Sequence, residues 1–127
     1  MFDLNFARES FGQILAAAPL TILVAVVATL AGLILAILVA IARERKIPLL
    51  SPLLAVVVSF IRGTPILVQL YVVYSGLPQL LVLMRNWGWN TNPDGLPAII
   101  IAFSAYGLNA MANLSESIRS AYHAVDY

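Results

Sequence analysis

The sequence predicts an all-α integral membrane protein with three transmembrane helices, at about 20–42, 65–83 and 96–116, and with its N-terminus outside. Three observations lead there. First, the chain is 61% hydrophobic and 10% charged, against about 25% charged in an average soluble domain. Second, Leu20 to Ala42 contains no charge, enough for about 35 Å of helix where a bilayer core measures about 30 Å. Third, Arg62 is the only charged residue from Leu49 to Leu83. As one helix that run would measure about 52 Å, too long for a single crossing.

Phe2 to Ala17 alternates apolar and polar residues loosely at helical spacing and reads as an interfacial lead-in. Its acids Asp3 and Glu9 are unlike the basic start of a cleaved signal peptide, so the segment is expected to be retained. Pro19 then opens the first crossing, along which Ala28, Gly32, Ala36 and Ala40 recur every fourth residue. A stripe of small residues lets the backbone of another helix approach closely. Arg43-Glu44-Arg45-Lys46 follows, and the positive-inside rule assigns this basic cluster to the cytoplasm.

Ile47 to Phe60 holds Pro48 and Pro52 and is too short to cross; it is expected to run along or just into the cytoplasmic face. Gly63-Thr64-Pro65 divides the apolar run. A residue before proline is pushed out of the α region, whereas proline suits a helix's first position, with Thr64 as N-cap. Arg62 at this break reads as an interfacial anchor, because arginine at a helix centre costs about 3 kcal/mol on insertion scales. The second crossing carries Gln69 as its buried polar residue, and Gly76-Leu77-Pro78 should kink or loosen its outer end.

Arg85 to Gly95 is rich in turn formers and belongs outside, with Trp87 and Trp89 better suited to headgroup anchoring than to carbohydrate binding. Leu96 opens the third crossing. On a helix, Tyr106, Asn109, Asn113 and Glu116 share one face. Polar groups are expensive in hydrocarbon, so this stripe should face protein or a water-filled path, as interhelical hydrogen-bond glue or as path lining. Glu116 and Arg119, three apart, are expected to pair.

No catalytic constellation, metal-ligand cluster or phosphate loop is present: the six carboxylates are dispersed, cysteine is absent and His123, the single histidine, reads as solvated. No cofactor is implied. A net charge of +1 gives no reason to expect nucleic acid, and the partner implied by composition is the lipid bilayer. Three crossings bury little by themselves, so function is expected from assembly with other helices.

Phe60-Ile61-Arg62-Gly63-Thr64-Pro65-Ile66-Leu67-Val68-Gln69-Leu70, followed by Tyr74-Ser75-Gly76-Leu77-Pro78, closely resembles the signature of permease subunits of ABC importers for polar amino acids. Thr21, Gly32, the basic turn and Ser115-Glu116-Ser117-Ile118-Arg119 agree with that pattern, whereas Asn113, Asp126 and Ala36 depart from it. The resemblance implies the first part of the type I importer fold, with 1–127 an incomplete permease domain lacking the EAA coupling loop and later helices. It implies an ATP-driven amino-acid import system of the bacterial cell membrane. The partners it implies are a cytoplasmic ATP-binding subunit, an extracytoplasmic solute-binding protein and a second permease subunit. ATP hydrolysis would lie on the separate subunit. Gln69, Asn109, Asn113 and Glu116 are the expected substrate path; Arg62, Gly63, Thr64, Pro65, Gln69 and Arg119 are motif and architectural residues. The competing reading is a small non-transporting membrane scaffold or regulatory subunit.

Overall fold

The computed structural model describes residues 2–125, which leaves Asp126 and its departure from the family pattern outside the described residues. The described residues form four α-helices, α1 (Leu4–Glu44), α2 (Leu50–Gly63), α3 (Ile66–Asn86) and α4 (Ala98–Ala124), with a short 3-10 turn at Pro93–Gly95. At 41, 21 and 27 residues, α1, α3 and α4 are long and apolar enough to cross a membrane, while α2, at 14 residues, is not. Three crossings and a short apolar helix are therefore what the sequence predicts and what the fold contains.

The helix boundaries differ in instructive ways. The lead-in is not separate from the first crossing: α1 begins at Leu4, because Asp3 is an N-cap whose carboxylate accepts from the backbone N–H groups of Asn5 (3.0 Å) and Phe6 (3.3 Å). Pro19 lies inside α1 instead of opening it. One proline removes one backbone donor, a loss that long apolar helices tolerate. Likewise α3 continues through Gly76-Leu77-Pro78 to Asn86 without interruption. At the other end of the chain α4 extends to Ala124, eight residues past the expected limit at 116.

Thr64 is not the N-cap of α3. It ends α2 in an extended conformation (φ −108°, ψ 136°), and its hydroxyl donates backward to the Phe60 carbonyl. Pro65, with ψ 145°, is itself the N-cap, so α3 starts one residue later than expected. The break therefore falls at the expected place but divides its caps differently. Between α1 and α2, Lys46 (φ 51°) and Leu49 (φ 66°) take positive-φ conformations, uncommon for residues with a side chain, in the short connection.

The fold's main seam is α1 against α4. Ala28, Gly32, Ala36 and Ala40 are all buried, as the small-residue stripe predicts, with Gly32 against Gly107, Ala110 and Met111 of α4 and Ala28 against Gly107. Val58 of α2 packs into the same core beside Met111 and Ala112. Most large apolar side chains elsewhere remain exposed, Leu67 at 75% and Phe60 at 67% among them. Such a surface suits lipid or further helices. The loop after α3 folds back on it: Thr91 donates its hydroxyl to the Leu81 carbonyl at 2.7 Å, leaving Trp87 and Trp89 exposed.

Candidate functional site

Two polar centres stand out of this apolar frame. One closes the end of the α1–α4 seam. Arg43 of α1 donates to Glu116 Oε1 of α4; Glu116 Oε2 also lies 3.5 Å from Arg119 Nη1, the pairing that the three-residue spacing predicts. Arg119 Nε donates in turn to Glu44 Oε1 at 2.9 Å, and His123 Nε2 meets the same oxygen at 2.9 Å. Charges alternate along this chain of contacts. Arg43 is its most buried member, with a side chain 11% exposed, whereas His123 is 60% exposed. His123 is therefore not simply solvated: one ring nitrogen is held by Glu44. An alternating array is self-neutralising, which is how charged side chains become tolerable beside a membrane core.

The three-residue spacing predicts the Glu116–Arg119 pair, whereas Arg43 and Glu44 read in the sequence only as part of a cytoplasmic basic cluster. A signal was available: Glu44 interrupts three basic residues, and an acid at that position has no role in a purely positive anchor. What the sequence lacked was the α1–α4 register, which brings together residues more than 70 positions apart.

The second centre is the α2–α3 break. Gln69, 9% exposed, donates its side-chain Nε2 to the Ile61 carbonyl (2.6 Å) and the Thr64 carbonyl (2.9 Å). These carbonyls lie where α2 ends and its regular acceptor pattern stops. The amide thereby ties the start of α3 to the end of α2. Arg62 and Gly63 are exposed at this break.

Asn109 and Asn113 meet each other: Asn113 Nδ2 donates to the Asn109 carbonyl at 2.9 Å and lies 3.4 Å from its Oδ1. Asn113 is exposed, Asn109 half-buried and Tyr106 40% exposed. Tyr106 lines a cavity of about 400 Å³ with Leu20, Thr21, Val24, Ala25 and Ala102, between the first part of α1 and α4. The four expected path residues thus divide into three places: Gln69 at the break, the asparagine pair on α4, and Glu116 in the ion cluster. Among the described residues no group of histidine, cysteine and carboxylate side chains has metal-site geometry.

These helices and their interior polar groups define a multi-pass helical membrane protein, built around one tightly packed helix pair. Its relatives are transport proteins. The chain is homologous, over nearly all of its length, to the permease proteins of amino-acid ABC transporters. It is 36% identical to the probable amino-acid permease protein YxeN of Bacillus subtilis (strain 168), over 98% of this chain and 51% of that protein. The L-cystine transport system permease protein TcyL of the same organism is 33% identical, over 98% of this chain and 50% of the relative. A probable amino-acid ABC transporter permease protein of Vibrio harveyi, PatM, is 34% identical, with 98% of this chain and 52% of the relative covered. Among solved structures, the crystal structure of an amino acid ABC transporter with histidines superposes with a TM-score of 0.77 at 26% identity, covering 99% of this chain and 53% of that chain. No family model matches the chain. The chain spans about half the length of the curated relatives it matches.

Proposed function

We propose that this chain forms part of a membrane-spanning permease subunit in an ATP-driven importer of polar amino acids, within the bacterial cell membrane. The observation that carries this reading is the similarity to amino-acid permeases along nearly the whole chain, in sequence and in fold. A scaffold that moves nothing has no counterpart among these relatives. In the proposed assembly a second permease subunit supplies the other wall of the path, an ATP-binding subunit acts from the cytoplasm and a solute-binding protein delivers substrate from outside. The 1–127 segment is then an incomplete permease domain, and the EAA coupling loop and later helices are expected in the intact subunit.

Asn109 and Asn113 are the proposed path-facing pair. Both are amides on α4, and the exposed face of Asn113 offers donors and acceptors without a fixed charge, suitable for a zwitterionic solute. Gln69 and Glu116 border that path through the break and the ion cluster, where their side chains already hold other groups. Arg62 to Pro65 shape the start of α3, with Arg119 fixed beside Glu116.

Transport measurement tests the reading. Proteoliposomes carrying the intact permease, its ATP-binding subunit and its binding protein are expected to accumulate a labelled polar amino acid on addition of ATP. Asn113→Leu should lower that uptake at least tenfold while leaving expression unchanged. ATP-independent behaviour in the complete system would overturn the transport reading; normal uptake by the variant would remove Asn113 from the path. Orientation is checked separately in this cysteine-free sequence. A cysteine introduced at Asn90 is expected to react with an impermeant maleimide from outside, and one at Arg45 only after the inner face is opened; the opposite pattern would invert the topology.

A further inference from the structure

The ion cluster does not use all of the positive charge at its end of the α1–α4 seam. Arg43, Arg45, Lys46 and Arg119 supply four bases there, against the two acids Glu44 and Glu116. Arg43 and Arg119 are held by those acids, whereas Arg45 and Lys46 have no ion-pair partner among the described residues. Arg45 is exposed at the C-cap of α1. It lines a groove of about 390 Å³ between α1 and α4, with Ile41 and Glu44 on its own side and Ile118, Arg119 and Tyr122 on the other.

The groove is graded in polarity along the two helices. α1 and α4 run in parallel, as Ala28 beside Gly107, Gly32 beside Ala110 and Arg43 beside Glu116 require. On both helices, therefore, higher numbers lie nearer the same end. Ile41 belongs to the uncharged span from Leu20 to Ala42, and Arg45 stands one turn beyond it, about 6 Å along the axis. Ile118 likewise precedes Tyr122 by one turn. The apolar walls thus lie toward the membrane core and the charges toward its surface. Tyr122, 56% exposed, brings an aromatic ring with a polar tip, a side chain suited to that interface. The Glu44 carboxylate is taken up by Arg119 and His123, so the unpaired guanidinium of Arg45 sets the sign of the site.

We propose that this groove binds an anionic phospholipid, with the phosphate on Arg45 and an acyl chain along Ile41 and Ile118. A guanidinium presents paired N–H donors that match two phosphate oxygens, and basic pockets between membrane helices suit such headgroups. An acidic protein segment would meet the same charge but gains little from apolar walls on the membrane-core side. A free phosphate gains nothing from them. A lipid matches both halves in their observed order. The site requires only that the chain spans a bilayer, and it stands whether or not the assembly imports amino acids. Bound there, the lipid bridges α1 and α4 at the end where the ion cluster holds them.

Native mass spectrometry of the intact permease subunit, titrated with phosphatidylglycerol or with phosphatidylcholine of the same chain length, tests the proposal. The first phosphatidylglycerol is expected to bind about fivefold more tightly than phosphatidylcholine or better, and Arg45→Gln should abolish that preference. Lys46→Gln removes the same charge from the neighbouring position, which does not line the groove. It should change the preference less than about twofold, because a seated headgroup depends on contact whereas diffuse attraction depends on net charge alone. Equal affinity for the two lipids, or equal losses in the two variants, overturns the proposal. Glycerol phosphate in excess should leave the lipid bound; displacement would mean an anion site without an acyl contact and overturns it as well. A structure of the assembled complex in phosphatidylglycerol nanodiscs supplies an independent readout. Lipid density between Ile41 and Ile118 is expected, and a protein segment filling that place overturns the proposal in favour of a protein partner.

Discussion

Replacing Gly32 with alanine is expected to force α1 and α4 apart at the centre of their seam, at a cost of about 2 kcal/mol, in the range of an overpacked core. The reason is geometric. A Cβ at Gly32 would lie 2.7 Å from the Gly107 carbonyl oxygen, 2.7 Å from Ala110 Cβ and 3.0 Å from the Met111 backbone nitrogen. Two of these three atoms are backbone and the third is the stub of an alanine, so none moves aside by a rotamer change. One helix must shift instead. That shift would also disturb Ala28, Ala36 and Ala40, each buried to within a few per cent.

Gly107 supplies the control. It is buried on the facing helix, yet a Cβ there would meet only the Ala28 carbonyl oxygen, at an ordinary 3.7 Å. Gly107→Ala should therefore be close to neutral or mildly stabilising, because alanine is favoured over glycine in a helix interior by about 1 kcal/mol. Thermal melts of the two variants in the same detergent make the comparison. Equal melting temperatures would mean that the seam is not packed through Gly32.

This seam was legible in the sequence because its signal is local: four small residues at a spacing of four place one smooth strip on one helix. The lengths of the helices were less legible. The expected end of α4 at 116 followed from rising polarity, but polarity does not stop a helix, and no glycine or proline occurs after Gly107. The lead-in was separated from the first crossing on similar grounds, although Asp3 already offered a cap. At the break, Pro65 correctly marked the division between helices, while the side-chain directions of Thr64 and Gln69 depended on the backbone angles that proline imposes. The ion cluster was the least legible feature. Its members lie more than 70 positions apart in the chain, and only the register fixed by the small-residue seam brings Arg43 to Glu116 and Glu44 to Arg119.

That dependence makes the Arg43–Glu116 pair the most informative electrostatic target. Glu116→Ala should destabilise the protein by about 2 kcal/mol, between the negligible value of exposed pairs and the larger one of fully buried pairs. The loss arises mainly because Arg43, with a side chain 11% exposed, is left charged without its carboxylate. Arg119 cannot replace Glu116, since it bears the same charge as Arg43. Glu44 is already shared between Arg119 and His123. Arg43→Met should show a comparable loss by stranding Glu116 with Arg119 as its remaining partner, at 3.5 Å. Combining Arg43→Met with Glu116→Ala removes both charges together, and the double variant is expected to recover more than half of the stability lost in either single one. Melting temperatures of the four proteins complete the cycle. Additive losses would sink the pairing, whereas recovery would establish that α1 and α4 are matched in charge at one end as closely as they are matched in shape along the seam.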